Sequence, residues 1–151
     1  MNHLEKTAVK YGLLTTGALS LYFLLMYQLG LAHNVELRIF NALFMFLGIF
    51  LSVRSYKRKE KREFQFLKGF AVGLATSLVV GVTFCLFIAA FMGINPDFLI
   101  SIKANELQGV YINTVGLLVL IFIEATASGI LFTYMSMQWL KSKNMADLTS
   151  F

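Results

Sequence analysis

Residues 69–93 read GFAVGLATSLVVGVTFCLFIAAFMG, an uncharged run of 25 residues. An α-helix needs about 20 mostly apolar residues to cross a bilayer, so this run predicts a membrane span. Small residues recur in it at every fourth position. A spacing of four is slightly more than one helical turn, so these residues line one face of the predicted helix. They are Gly69, Gly73, Ser77, Gly81 and Cys85.

Three further stretches of the 151-residue chain have the length and apolar character of a span. The four predicted spans cover about residues 8–30, 35–56, 69–93 and 112–140. The chain is 58% hydrophobic and 14% charged, whereas a soluble domain carries about 25% charged residues. We therefore predict one transmembrane domain over residues 1–151, with the all-α fold of an antiparallel four-helix bundle.

The basic residues predict how the bundle is oriented. Eleven of the thirteen Lys and Arg flank one side of the predicted spans, and two flank the other. Lys and Arg accumulate in cytoplasmic segments next to membrane spans. Both termini and the basic loop, residues 54–68, are therefore predicted to be cytoplasmic, and residues 94–111 to form an outer loop.

The basic loop interleaves seven cations with aromatic residues. Anionic headgroups attract each cation near the membrane by about 1 kcal/mol, and aromatic rings favour the lipid–water interface. We expect this loop to contact anionic lipids of the cytoplasmic face, and we expect no nucleic acid partner; docking of a cytosolic protein is the alternative. The expected headgroup contacts are Arg54, Lys57, Arg58, Lys59, Lys61, Arg62 and Lys68.

Small residues let helices approach closely, and this approach stabilises helix pairs in lipid. The fourth span carries a looser stripe of small residues at Ala125, Gly129 and Thr133. We expect the small residues to pack the helices of one monomer, with a dimer interface as the alternative. The residues predicted for helix packing are Gly69, Gly73, Ser77, Gly81 and Gly129.

Residues 117–131, LLVLIFIEATASGIL, carry one carboxyl group, that of Glu124. It lies eleven residues from Asn113 and sixteen from Leu140, so at about 1.5 Å per residue it stands near the membrane midplane. A charged residue there costs about 2.5–3.5 kcal/mol on insertion. Ten Leu, Ile, Phe and Val residues between positions 117 and 132 offset this with about 3–6 kcal/mol, so the helix inserts.

An intramembrane ionisable residue is a candidate functional site. Since a low dielectric disfavours the charged form, we expect Glu124 to be mostly protonated and to donate a hydrogen bond across the bundle. With Ser128 it forms the predicted intramembrane polar site. A proton or ion relay is the alternative role. The candidate hydroxyl partners are Thr15, Thr16, Thr76, Ser77, Thr83, Thr126 and Ser128.

Three segments together resemble a known family. They are LFMFLGIFLSVRSYKRKE at 43–60, FQFLKGFAVGLATSLVVGV at 64–82 and IFIEATASGILFTYMSMQWLK at 121–141. This pattern is similar to bacterial four-span membrane proteins known only as a domain of unknown function, family 4199. Ala125 and Thr126 stand where that family often has a proline, and the outer loop is shorter. The resemblance implies a multi-pass protein of the bacterial cytoplasmic (inner) membrane and implies no activity.

Motifs that carry catalysis are missing from the sequence. No histidine accompanies the Ser and Thr residues at membrane depth, and neither HExxH nor a phosphate-cradling glycine loop is present. Cys85 is the single cysteine. We therefore expect no enzyme, no catalytic residue, no metal and no cofactor. The favoured function is a small packing or accessory subunit, homo-oligomeric or part of a larger membrane complex; the alternative is a proton- or ion-coupled transporter using Glu124.

Overall fold

The computed structural model describes residues 3–30, 38–59, 66–98, 100 and 113–148, without the side chains of residues 38 and 141–148. These ranges contain four long α-helices: α1 (His3–Gln28), α2 (Arg38–Lys59), α3 (Phe66–Ile94) and α4 (Thr114–Leu148). Each helix has a stretch long and apolar enough to cross a membrane. The mean hydropathy of these stretches is 1.3 in α1, 1.6 in α2, 2.4 in α3 and 2.2 in α4.

Capping chemistry defines two of the helix ends. Asn113 precedes α4, and its side-chain Oδ1 accepts a hydrogen bond from the Gly116 backbone N–H at 2.6 Å. This bond satisfies one of the amides that the first turn of a helix leaves without a partner. Gly30 follows α1 with a φ of 70°, the left-handed conformation in which many helices end and which glycine adopts without steric cost.

Contacts along the helices give their relative directions. Contacting residue numbers rise together in α1 and α3, so these two helices are parallel. In the pairs α1 with α2 and α3 with α4 they run in opposite order, so the chain passes up, down, up and down through the bundle. Representative contacts are His3 with Tyr56 and Tyr22 with Phe44, Thr16 with Thr83 and Phe23 with Phe91, and Ser77 with Gly129 and Cys85 with Leu118.

Helices α2 and α3 form the centre of the bundle. They pack against each other, and each also packs against both α1 and α4, which lie on opposite sides. The start of α1 and the end of α2 meet where His3 packs on Tyr56, and the Lys57 side chain reaches the Leu140 carbonyl of α4. The beginnings of α1 and α3 and the last turns of α2 and α4 therefore share one end of the bundle, here called the basic end.

Two apolar clusters fill the bundle, one on each side of its middle. The cluster nearer the basic end is aliphatic, whereas the other also contains aromatic rings in edge-to-face contact, an arrangement that aromatic pairs prefer. Phe23 and Phe91, for example, have centroids 5.1 Å apart at 89°. The first cluster contains Leu19, Met45, Ile49, Val53, Val80, Met137 and Leu140, and the second Ile88, Phe91, Met92, Phe98 and Leu117.

The structure confirms the predicted all-α fold of four antiparallel membrane-spanning helices. The observed helices extend beyond the predicted spans at the basic end. Residues 54–59 belong to α2 and residues 66–68 to α3, because Lys and Arg are good helix formers and do not end a helix that leaves the lipid. Residues 60–65 of the basic loop, and residues 99 and 101–112 of the outer loop, lie outside the described residues; residues 96–98 form a helical turn. Which side of a membrane the basic end faces stays a prediction.

Candidate functional site

The small residues of α3 lie where this helix comes closest to α4. A Cβ added at Gly73 would overlap the side chain of Thr133, and one added at Gly129 would overlap the side chain of Ser77. At Gly81 an added Cβ would lie 3.2 Å from an aromatic ring of α4. These residues, all predicted from the sequence for packing or as part of a small-residue stripe, are thus placed together in one α3–α4 contact.

Two more close approaches join α1 to its neighbours. Gly48 of α2 faces Thr15, and an added Cβ there would overlap the threonine side chain. Gly12 of α1 faces Val79 of α3, whose Cγ1 would lie 2.6 Å from an added Cβ. Gly69, the first residue of the α3 stripe, is also buried. Because glycine has no side chain, these positions let three helix pairs approach closely. This is expected where lipid supplies no hydrophobic driving force between helices.

Buried hydroxyl groups form a second feature of the interior, the hydroxyl layer. All five of its threonines donate to a backbone carbonyl one turn earlier on their own helix, as Thr76 does to Val72 O at 2.8 Å and Thr133 to Gly129 O at 2.7 Å. Such a bond satisfies a buried hydroxyl without help from another helix. The layer consists of Thr7, Thr15, Thr16, Ser52, Thr76, Ser77, Thr133 and Ser136.

Two hydroxyl pairs cross between helices. Ser52 Oγ of α2 lies 2.7 Å from Thr76 Oγ1, and Thr16 Oγ1 of α1 lies 2.6 Å from Thr83 Oγ1 of α3. A hydroxyl carries one hydrogen, and Thr76 uses its hydrogen on the Val72 carbonyl. Ser52 is therefore the donor in its pair, and Thr76 both accepts and donates. Sequence reasoning missed Ser52, although Gly48 and Ser52 have the same four-residue spacing of small residues as α3.

Ser136 stands apart from the rest of the hydroxyl layer. It is fully buried, and its Oγ has no hydrogen-bond partner within the part of the chain that the structure describes. The side-chain oxygen of Asn41 in α2 is also buried and has no hydrogen-bond partner among the described residues. A buried hydroxyl without a partner costs about 1–3 kcal/mol, so Ser136 is a weak point of this packing.

Glu124 lies at mid-height of the bundle but on its outer side. The next residue, Ala125, packs toward Gly81, which is near the middle of α3. The Glu124 side chain itself is exposed, whereas the hydroxyls expected as partners on α1 and α3 are buried or half-buried. Glu124 precedes Gly129 by five residues, which at about 100° per residue turns it about 140° away from the α3 contact. Among the hydroxyls named as candidate partners, Thr16 and Thr83 bond to each other, and Thr76 bonds to Ser52.

Ser128, the other member of the predicted polar site, is half-buried one turn after Glu124. Its Oγ donates to the backbone carbonyl of Glu124 at 2.7 Å and approaches that of Ala125 at 3.2 Å. Its hydroxyl is therefore engaged with the helix backbone, in the manner of the threonines of the hydroxyl layer. At this height, the polar side-chain group that α4 exposes is therefore the carboxyl group of Glu124.

The cations predicted to contact headgroups divide into three groups. Arg54, Arg58 and Lys59 are exposed at the end of α2. Lys57 and Lys68 are half-buried, and Lys57 Nζ donates to the Leu140 carbonyl of α4 at 2.8 Å. This bond ties α2 to α4 at the basic end, a role that the sequence did not reveal. Lys61 and Arg62 lie outside the described residues.

Among the described residues, no group of three or more His, Cys, Asp or Glu side chains is placed to hold a metal ion. The arrangement offers two capacities. Its interior packs four helices through glycine contacts and hydroxyl bonds, and its α4 surface presents a carboxyl group at mid-membrane height.

No curated protein and no solved structure matches the chain. A family model does match residues 10–142, which include all of α2 and α3 and most of α1 and α4, and it confirms the family resemblance seen in the sequence. The chain therefore belongs to the family described as protein of unknown function (DUF4199).

Proposed function

We propose that this protein is a small non-catalytic membrane subunit that associates with other membrane-embedded protein through the exposed face of α4. It acts as a homo-oligomer or as an accessory part of a larger complex. The observation that carries this proposal is the exposed carboxyl group of Glu124 at mid-height of a membrane-spanning helix. Ionisable side chains in membranes almost always face protein or water, since lipid offers them neither hydrogen bonds nor a high dielectric.

The interior of the bundle supports a packing role. Its hydroxyls are bonded largely to their own helices, and its glycines are in contact with neighbouring side chains. Such an interior holds helices together and leaves the exposed surfaces for partners.

The proposed setting is the bacterial cytoplasmic membrane, with both termini and the basic end inside the cell. The exposed cations Arg54, Arg58 and Lys59 at that end support contact with anionic headgroups, each adding about 1 kcal/mol. A tag at either terminus that proved accessible only from the periplasm would contradict this orientation.

A matched pair of substitutions tests the association. Leu131 on α4 and Leu78 on α3 are both exposed, by 56% and 45%, and lie at similar height because Ser77 contacts Gly129. A tryptophan replacing a lipid-facing leucine is accommodated by lipid, whereas one replacing an interface leucine pushes the partners apart.

We expect the wild-type protein and Leu78→Trp to migrate in mild detergent as complexes larger than the 17.0 kDa monomer. Leu131→Trp should migrate as the monomer. Light scattering after size exclusion measures the protein mass. Monomeric wild-type protein, or a Leu131→Trp complex as large as the wild type, would contradict the proposal.

The alternative, a proton- or ion-coupled transporter, receives less support from the geometry. A path through one bundle would have to use the interior, whereas the deep carboxyl group lies on the outside. A path using Glu124 would therefore run along a protein contact at α4, which requires the same association. Flux assays on vesicles with wild-type and Glu124→Gln protein separate the two functions, because only the transporter loses flux in the variant.

A further inference from the structure

Lysines of two helices lie beside the contact between α1 and α2 at the basic end. His3 of α1 packs on Tyr56 of α2, with ring centroids 6.4 Å apart. Lys6 and Lys10 follow His3 by three and seven residues, which at about 100° per residue places both within about 60° of it on α1. Lys59 follows Tyr56 by three residues and lies within about 60° of it on α2. Residues spaced in this way share a helix face, so the three lysines flank one contact.

The lysines lie on the outer side of that contact. All three are exposed, as is His3, whereas Tyr56 between the helices is buried. Because α1 and α2 are antiparallel, Lys6 lies about 4.5 Å farther into the bundle than His3, and Lys59 about 4.5 Å farther out than Tyr56. The long, flexible stem of lysine lets the ammonium groups reach a common height. This set, here called the lysine cluster, consists of His3, Lys6, Lys10 and Lys59.

Three other charges of α1 and α2 lie on different faces of these helices. Arg54 and Arg58 precede and follow Tyr56 by two residues, so each lies about 160° from it on α2. Glu5 follows His3 by two residues and lies about 160° from it on α1. The lysine cluster is therefore separate from these two arginines, and the carboxyl group of Glu5 belongs to another face of α1.

The face of α1 that carries the cluster continues into the membrane span as an apolar surface. Leu14, Gly17 and Leu21 follow His3 by eleven, fourteen and eighteen residues, so all three lie within about 40° of it. Leu14 is 61% exposed and Leu21 is 63% exposed. A Cβ added at Gly17 would meet nothing within 4 Å, so this glycine leaves an open space between the two leucines.

We propose that the lysine cluster binds the headgroup of one anionic phospholipid, whose acyl chain lies along Leu14, Gly17 and Leu21. This inference rests on the headgroup contact proposed above and gives that contact a position on α1 and α2. Lysines gathered at one contact repel one another, and an anion among them replaces the repulsion by attraction. Ammonium groups also donate charge-assisted hydrogen bonds to phosphate oxygens. The exposed apolar surface next to the cluster favours a lipid over a soluble phosphate ion, which has no acyl chain to place there.

Native mass spectrometry of the purified protein in mild detergent tests the site. The probes are phosphatidylglycerol, which is anionic, and phosphatidylcholine with the same acyl chains, which is zwitterionic. The wild type should bind phosphatidylglycerol at least about tenfold more tightly. Lys6→Gln with Lys10→Gln should raise the dissociation constant of phosphatidylglycerol about thirtyfold, at about fivefold per lysine. The matched control, Arg54→Gln with Arg58→Gln, removes the same charge from another face and should leave the constant within about twofold.

Two single variants keep the test decisive if the double variant of α1 does not fold. Lys59→Gln removes the contribution of α2 and should raise the constant about fivefold. Gly17→Trp changes no charge, and it should raise the constant at least about fivefold because the ring fills the space of the acyl chain. Equal losses in the two double variants would show attraction by total charge and overturn the site. Wild-type affinity in both single variants, or displacement of the lipid by inorganic phosphate, would also overturn it.

The outcomes for this site and for the earlier proposals can be told apart. The cluster lies on α1 and α2, so Leu131→Trp on α4 should keep the wild-type affinity for phosphatidylglycerol. If the two double variants lose affinity equally, the headgroup contact of the basic end stands and only the lysine cluster is wrong. If the wild type does not distinguish the two lipids, both the cluster and the proposed headgroup contact are wrong.

Discussion

Substituting Gly129 by alanine should destabilise the bundle at the contact between α3 and α4. The added Cβ would overlap both Cβ and Oγ of Ser77. The Ser77 Cβ is bonded directly to its backbone, so rotation of the side chain cannot remove this overlap and the two helices must separate. Overpacking of this kind costs about 1–3 kcal/mol. Replacing a helical glycine by alanine returns up to about 1 kcal/mol of helix propensity, so we expect a net loss of up to about 3 kcal/mol.

A second substitution should reverse the effect. In Gly129→Ala with Ser77→Gly, the added methyl group replaces the serine side chain, and the nearest remaining atom of residue 77 is its Cα at 3.7 Å. This is an ordinary van der Waals distance. The matched control is Gly17→Ala on α1, where an added Cβ meets nothing within 4 Å. It should leave stability unchanged or raise it by up to about 1 kcal/mol.

Unfolding in mixed micelles by increasing SDS, followed through the fluorescence of Trp139, compares five proteins: wild type, Gly17→Ala, Gly129→Ala, Ser77→Gly and the double variant. The expected order of stability places Gly17→Ala first, wild type next and Gly129→Ala last. The double variant should be more stable than the sum of its single changes predicts, by about 1–3 kcal/mol. A Gly129→Ala protein as stable as Gly17→Ala, or additive effects at positions 77 and 129, would refute the α3–α4 register on which the reasoning depends.

Three further substitutions probe individual bonds. Ser52→Ala removes the 2.7 Å bond to Thr76 and should cost about 0.6–1.5 kcal/mol in the same SDS titration; a loss below error would contradict the bond. Ser136→Ala removes a buried hydroxyl that has no partner among the described residues, so stability should stay constant or rise by about 1 kcal/mol, and a clear loss would reveal an unrecognised bond. Lys57→Met removes the bond to the Leu140 carbonyl and should speed amide hydrogen exchange in the last turns of α4, whereas unchanged exchange would contradict that tie.

The number and direction of the helices could be predicted because each span exceeds the length that lipid requires. The α3 stripe could also be predicted to face a neighbour, since Gly73 and Ser77 recur at helical spacing in an otherwise bulky helix. The neighbour itself could not be predicted. The sequence does not encode which of three helices lies against a stripe, because in lipid every remaining surface is equally apolar.

The depth of Glu124 followed from the sequence, but the exposure of its side chain did not. Helix α4 has apolar residues on every side, so hydropathy does not distinguish its inner from its outer face. A usable signal was present in the small residues of the same helix. Ala125, Gly129 and Thr133 mark the packed face, and five residues of helix rotation separate Gly129 from Glu124. The general tendency of intramembrane carboxyl groups to face protein favours the opposite direction from this local pattern.

The hydrogen bonds of the interior show which contacts hold the four helices of the monomer together. A threonine bonded to its own helix, such as Thr133, keeps that bond when helices part, so it does little to hold the bundle. The contacts that hold the helices together are therefore the glycine approaches, the two hydroxyl pairs, the Lys57–Leu140 bond and the two apolar clusters. Because the Glu124 side chain is exposed, Glu124→Leu should change assembly while shifting the SDS midpoint of the monomer less than Gly129→Ala does. A Glu124→Leu protein that unfolds as early as Gly129→Ala would place the carboxyl group inside the packing of the bundle and would refute the outward direction from which the association was inferred.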